Sequence, residues 1–307
     1  MKIIQILLTC LLAIWLTPAR AELIGISIPD ASSNFQILLR DHLEKSIDLR
    51  GADSYSDDVG SDAGVQITQV QSFVDAGLDA IIVLPVSTSK DHIQRLIDIT
   101  TSKKVPLVFM NRQPDMETFP AGVMFVGSKE SEAGILQMEE MALKSGYKGR
   151  VALLMGPDTH PAAIARTQMV EDIIAKYPEM SITLREYAHW QRNKALGVVT
   201  NWLKSHKNEF DMVVANNDEM ALGAILAMEE LGVDPKSYLV AGIDATGDAL
   251  KAVQDGYMDV TVLQDASGQA RNAVMAAFSL IRGEKMDPYL WVPFKLVNAA
   301  NLDQFLR

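Results

Sequence analysis

The chain has one cysteine in 307 residues, Cys10, and it lies in the leading apolar stretch. If that stretch is removed on export, no disulfide, thiolate nucleophile or thiolate metal site remains. Past this leader no apolar run approaches the roughly 20 residues that a membrane helix needs. Basic residues are also in short supply, 28 against 39 acids, for a formal charge of −11. A field of that sign opposes binding to nucleic acid or anionic lipid. No Gly-rich phosphate loop, nucleophile elbow or metal-ligand spacing appears, so the main enzyme signatures are missing. Neither a low-complexity tract nor a short-period repeat is present.

What is there begins with an export signal. Lys2 supplies a short positive start, Ile3 to Leu16 an apolar segment, and Ala19-Arg20-Ala21 a small-x-small cleavage site. Residues 1–21 therefore read as a signal peptide, with the mature chain starting near Glu22. A lipid-attachment reading of Cys10, after Leu7-Leu8-Thr9, fails because hardly any apolar segment precedes it. Losing Lys2 and Arg20 takes the formal charge from −11 to −13. An exported, cysteine-free chain of this size suits the bacterial periplasm. Its roughly 285 residues are enough for two domains.

Short β-rich runs alternate with amphipathic helical stretches, the pattern of βαβ units and parallel sheets. The spacing predicts strands at 23–29, 51–56 (weaker), 80–85, 106–111 and 123–127, then at 150–156, 182–187, 212–217, 238–244 and 261–264. Helices are expected at 35–47, 64–76, 90–102, 131–145, 161–176, 193–207, 219–231, 247–254 and 268–282. Asp218 and Thr246 read as N-caps. Gly77, Gly146, Gly232 and Gly256 read as left-handed helix ends. The fold class is α/β: two Rossmann-like lobes, each a parallel sheet flanked by helices. No Pro/Gly linker separates the halves, and Phe125-Val-Gly-Ser128 passes straight from strand to helix.

Three apolar strands of the second half run into a polar residue: Asn217, Asp244 and Gln264. Open α/β sheets bind ligands at the carboxyl ends of their strands, which places these side chains where a small polar molecule is read by hydrogen bonds.

Val214-Ala-Asn-Asn-Asp-Glu-Met-Ala-Leu-Gly223, Val240-Ala-Gly-Ile-Asp-Ala245 and Val262-Leu-Gln-Asp-Ala266 together resemble the type I periplasmic sugar-binding proteins of ABC importers. Gly156-Pro-Asp-Thr-His-Pro-Ala-Ala-Ile-Ala-Arg166 and Phe109-Met-Asn-Arg-Gln-Pro114 are similar to the glucose/galactose branch, and the resemblance spans the mature chain. It implies a binding protein, not an enzyme, with two lobes closing on a ligand through a three-crossing hinge. One lobe would comprise 22–127 plus 265–292 and the other 128–264 plus 293–307, with crossings near Gly127, Asp265 and Pro293. Phe35 and Trp190 would sandwich the sugar ring. Ser33, Asn34, Asn111 and Arg112 would face it from the first lobe, and His160, Arg166, Asn217, Asp244 and Gln264 from the second.

Departures bear on the ligand. The glucose/galactose binders carry an acid where this chain has Ser33 and another where it has Ala162, and Gln264 stands for an asparagine. Two lost carboxylate acceptors argue against unchanged glucose/galactose specificity. Asp244 against Arg112 and Arg166 reads as a pocket shifted toward positive. A different neutral monosaccharide or cyclitol is expected first, an acidic or phosphorylated sugar second. The loop 146–149 lacks the oxygen side chains of a calcium site, so neither metal nor cofactor is expected. The implied partners are ABC permease subunits of the inner membrane, or a chemoreceptor or histidine kinase if the role is sensing. A monomer is expected.

On residues alone several assignments stay open. Asp244 also suits a turn cap and Asn217 a turn. Trp190 serves packing nearly as well as binding. Phe35 fits the apolar helix face of Leu38, Leu39 and Leu43, and His160 before Pro161 suits a surface helix start. A sugar-effector core of a repressor shares this fold, but the signal peptide, the acidic charge and the lack of a DNA-binding segment oppose it.

Overall fold

The structure is a computed structural model describing residues 21–29, 34–116 and 118–306. The leader and Ser33 lie outside the described residues.

The chain order is β1 (Leu23–Ile28), α1 (Asn34–Asp48), β2 (Asp53–Asp58), α2 (Ala63–Asp75), β3 (Ala80–Val83), α3 (Lys90–Ser102), β4 (Leu107–Met110) and β5 (Val123–Gly127). It continues with α4 (Glu130–Lys144), β6 (Lys148–Met155), α5 (Pro161–Ile174), β7 (Glu179–Tyr187), α6 (Arg192–Ser205), β8 (Met212–Ala215) and α7 (Asp218–Glu230). Last come β9 (Leu239–Ala241), α8 (Gly247–Asp255), β10 (Val260–Leu263), α9 (Ala266–Ile281), β11 (Tyr289–Trp291) and β12 (Lys295–Asn298).

These strands build two six-stranded sheets, in the orders β11-β5-β4-β3-β1-β2 and β12-β10-β9-β8-β6-β7. All pairings are parallel except β10 with β12. The central strands are apolar throughout because helices cover both of their faces. Ala80–Val83, Leu107–Met110 and Met212–Ala215 are buried along their whole lengths. Helix periodicity follows the same logic, as in α3, where His92, Ile93, Leu96, Ile97 and Thr100 form the buried stripe.

The chain passes between the sheets at 127–130, 263–266 and 291–295. After β5, α4 packs on the second sheet through Met138, Met141 and Ala142, beside Val151 and Val260. After β10, α9 returns to the first sheet through Ala270, Ala273 and Val274, against Ile24, Ile26 and Val108. Strands β11 and β12 then add one edge to each sheet. Neither was expected from the sequence. Each is only three or four residues long, and its pairing is made by strands more than 30 positions away.

Gly77, Gly146, Gly232 and Gly256 all hold positive φ, and Thr246 caps α8 by accepting from the amide of Ala249. One capping expectation fails. Asn217, in extended backbone, caps α7 through Oδ1, which accepts from the Met220 amide at 3.1 Å. Asp218 is the first helical residue, and its carboxylate turns inward instead.

Candidate functional site

Asp218 organises the turn that carries Asp244. It is fully buried, with Oδ2 accepting from the amide and hydroxyl of Thr246 at 2.8 and 3.3 Å, and Oδ1 accepting from Thr261 Oγ1 at 2.7 Å. Gly242 leaves the room, since a Cβ there would overlap the carboxylate. Burial pushes the Asp218 carboxyl up to about 6 despite these three donors. The clamped turn holds Asp244 at φ 129° and Ala245 at φ 52°, conformations that L-residues rarely adopt. Such strain persists only where surrounding structure over-determines it, and it clusters at ligand sites.

Asp244 opens onto a cleft of about 240 Å³ between the lobes. Phe35, Asn111 and Arg112 line it from the first lobe, and His160, Arg166, Trp190, Asn217, Asp244 and Gln264 from the second. Gln36, Glu130 and Pro157, not singled out from the sequence, line it too. Asn34 does not. Its amide nitrogen instead donates to Glu219 Oε1 at 2.7 Å across the lobes. The same glutamate is held by Arg192, which also reaches Asp248. A strand-end rule finds cleft residues but not a contact between the first residues of α1 and α7.

Arg166 is 3% exposed. Its Nε donates to Glu130 Oε2 at 2.8 Å, Nη1 to the Asn216 carbonyl at 2.7 Å, and Nη2 to Gln264 Oε1 at 3.4 Å. Its charge partner is Glu130, at 2.7 Å, while Asp244 stands 3.8 Å away. Glu130 thus offsets the positive balance read from the sequence: among the described residues, two guanidiniums and two carboxylates line the cleft. No strand-end pattern marks it, because it starts the helix after a lobe crossing.

Burial raises Asp244 well above the usual carboxylate range, Arg166 pulls it back, and Asp218, Glu130 and Glu219 push it further up. His160 behaves oppositely. Burial, then Arg112 and Arg166, lower it to about 3, so its ring is neutral near pH 7. Nδ1 accepts from the Ala162 amide at 3.2 Å as the N-cap of α5, which leaves the proton on Nε2 as a donor. The ring meets Trp190 edge-on, centroids 5.2 Å apart. Trp190 lies over Gly156, where any Cβ would overlap the indole.

In the first lobe, Arg112 Nη1 donates to the carbonyls of Pro85 and Val86 at 2.8 and 2.6 Å, and burial lowers this guanidinium to about 10. Behind it, Gln66 Oε1 accepts from the Val86 amide at 2.8 Å and lies 2.9 Å from His92 Nε2. Gln66 Nε2 donates to Ser27 Oγ and the Leu84 carbonyl. Burial holds His92 below its usual value, so the neutral ring donates through Nε2. This histidine, given no role from the sequence, fixes the glutamine that fixes the loop under Arg112. Asn111, at φ 62°, donates to Gln269 Oε1 at 3.1 Å.

Two hinged α/β lobes with polar strand ends converging on the cleft define a small-molecule binding protein. Residues 24–285 match the model of the periplasmic binding protein domain family, and the chain belongs to that family, as a type I sugar-binding member. It is 39% identical over 94% of its length to a candidate rhizopine-binding protein of Rhizobium meliloti, also covered to 94%. A ribose import binding protein of Bacillus subtilis is 29% identical, with 89% of this chain and 86% of the relative covered. Among solved structures, a solute-binding protein of Bacillus halodurans with bound myo-inositol superposes with a TM-score of 0.84 at 35% identity, covering 92% of this chain and 96% of that one.

Proposed function

We propose that this protein is the substrate-binding component of an ABC-type importer and captures a neutral monosaccharide or cyclitol between its lobes. The observation that carries the choice is the charge balance of the cleft. Arg166 is already paired with Glu130, and Asp244 lies within reach of the same guanidinium. Among the described residues an acidic or phosphorylated sugar would meet one carboxylate for each cation, so that reading loses its support. A neutral polyol suits Asp244 and Gln264 as acceptors, Asn217, Arg112 and His160 Nε2 as donors, and Phe35 and Trp190 as apolar walls for C–H groups. The relatives and neighbours that bind ribose or myo-inositol support this class.

Closing on the ligand is the working step. Only the closed state satisfies both lobes' hydrogen bonds, so ligand shifts the population toward it. The lobes would move about the three passes near Gly127, Asp265 and Pro293, with lobe limits at 22–127 plus 265–292 and 128–264 plus 293–307. Export with cleavage after Ala21 would deliver the chain to the periplasm, where permease subunits would read the closed shape. No chemical turnover of the ligand is expected.

A thermal-shift screen over hexoses, pentoses, inositols, sugar acids and sugar phosphates tests the reading. A ligand at 100 times its dissociation constant adds about 2.7 kcal/mol to stability. A large shift with a sugar acid or an amino acid, and none with any neutral polyol, would overturn it.

A further inference from the structure

The cleft does not end at the chamber beneath Asp244. A second chamber of about 260 Å³ adjoins it beside the first lobe crossing. Asn111, Arg112, Glu130, His160 and Ala162 line both chambers. Ala162, in the first turn of α5, contributes only a methyl group to the lining they share.

The second chamber has its own chemistry. Pro161, Ala162 and Ala165 form an apolar wall, and Gln113, Lys129 and Ser131 bring polar groups to the other side. Its one ammonium is partly compensated, since Lys129 Nζ lies 4.0 Å from Glu132 and 5.5 Å from the Trp291 ring centroid. Glu130, shared between the chambers, adds a carboxylate. Arg112 also faces this chamber, with Nη1 donating to the Pro85 and Val86 carbonyls. A group with a C–H face and hydroxyl edges meets an apolar wall on one side and hydrogen-bonding groups on the other. The two volumes, about 240 and 260 Å³, fit units of similar size.

We infer that the ligand carries a second hydroxylated ring, O-linked to the first, so that the protein takes a disaccharide or a glycosylated cyclitol across both chambers. The inference rests on the sugar or cyclitol reading and narrows it.

Calorimetry with one-ring probes (myo-inositol, D-galactose, D-ribose) and two-ring probes (galactosyl-myo-inositol, melibiose, lactose) tests it. At least one two-ring probe should bind tenfold or more tightly than its one-ring parents, equivalent to about 1.4 kcal/mol. Ala165→Phe, which fills the second chamber, should abolish that preference while leaving one-ring affinity within about twofold. If Ala165→Phe is poorly folded, Gln113→Ala on the exposed rim serves as the second variant and should shrink the preference at least threefold. One-ring probes that bind as tightly as every two-ring probe would overturn the second chamber alone. So would variants that weaken both kinds of probe equally. If no sugar or cyclitol of either size binds, the broader reading of the cleft fails instead.

Discussion

The Arg166 guanidinium lies 2.7 Å from Glu130 but 3.8 Å from Asp244. The buried cation is thus neutralised from the start of α4, and Asp244 keeps its oxygens for other donors. The lobe that carries Asp244 has its main charge compensated by a residue beside a crossing between the sheets.

Replacing Glu130 by glutamine removes the close partner of a guanidinium that is 3% exposed. Breaking buried pairs costs about 3–5 kcal/mol, and the retained amide oxygen should reduce this to about 2 kcal/mol. Arg166 should then move toward Asp244 and occupy its oxygens. Glu130→Gln should lower both the melting temperature and the ligand affinity; an unchanged affinity would separate Glu130 from the site.

Asp244 makes binding pH-dependent. Hydroxyl donors from a ligand favour the ionised carboxyl, so its titration point is lower in the complex than in the free protein. Affinity is then full above the free value and falls as pH drops through it. Because burial has raised that value well above the ordinary range, the loss should begin at a higher pH than an ordinary carboxylate would give. Asp244→Ala should weaken binding about thirtyfold, near 2 kcal/mol, and flatten the profile measured by calorimetry between pH 5 and 8. Full affinity in this variant would refute the assignment.

Gly156→Ala should act on Trp190 without touching the polar groups. The added methyl would overlap the indole, and forced overpacking costs about 1–3 kcal/mol. The ring must leave its place against His160, so intrinsic fluorescence should change in the free protein and ligand-induced changes should shrink.

Gln66→Leu tests the support beneath Arg112. It leaves His92 Nε2 and the Val86 amide without their acceptor, at about 1–3 kcal/mol for each unsatisfied buried group. Weaker binding together with a lower melting temperature is expected. A stability loss with unchanged affinity would show that the loop under Arg112 holds without the glutamine.

Asn34→Ala removes a hydrogen bond between the lobes to a carboxylate. Such bonds contribute about 1.5–3 kcal/mol when buried, and exposure reduces this to roughly 1 kcal/mol. Affinity should fall about fivefold, with the free protein more extended by small-angle scattering. No change in either would reduce the contact to an incidental one.

Much of this molecule was legible from local pattern. Continuous apolar strands such as Met212–Ala215, helical stripes and glycine helix ends encode the alternating α/β order, because strand and helix periodicity follow from which faces are buried. Asn217, Asp244 and Gln264 were readable as strand-end groups for the same reason. Asn217 proved to cap α7 as well as line the cleft, two roles that one amide can fill with its separate oxygen and nitrogen. Phe35 was not decidable from spacing, since its position suits both a helix core face and the cleft.

The residue order thus dictated the elements, the strand ends and the polar groups at their tips, all consequences of near-neighbour geometry and burial. Tertiary structure alone decided which charges meet. Glu130 reaches Arg166 only once α4 follows a lobe crossing, and Asp218 shapes the Asp244 turn only because Gly242 and Thr261 lie beside it. Asn34 finds Glu219 only when the lobes are brought together. Coulomb energy and hydrogen bonding depend on distances of a few ångströms between residues dozens to nearly two hundred positions apart, and no local pattern encodes those distances. The second chamber has the same origin: it is a space between elements, defined by where α5 and the first crossing stop.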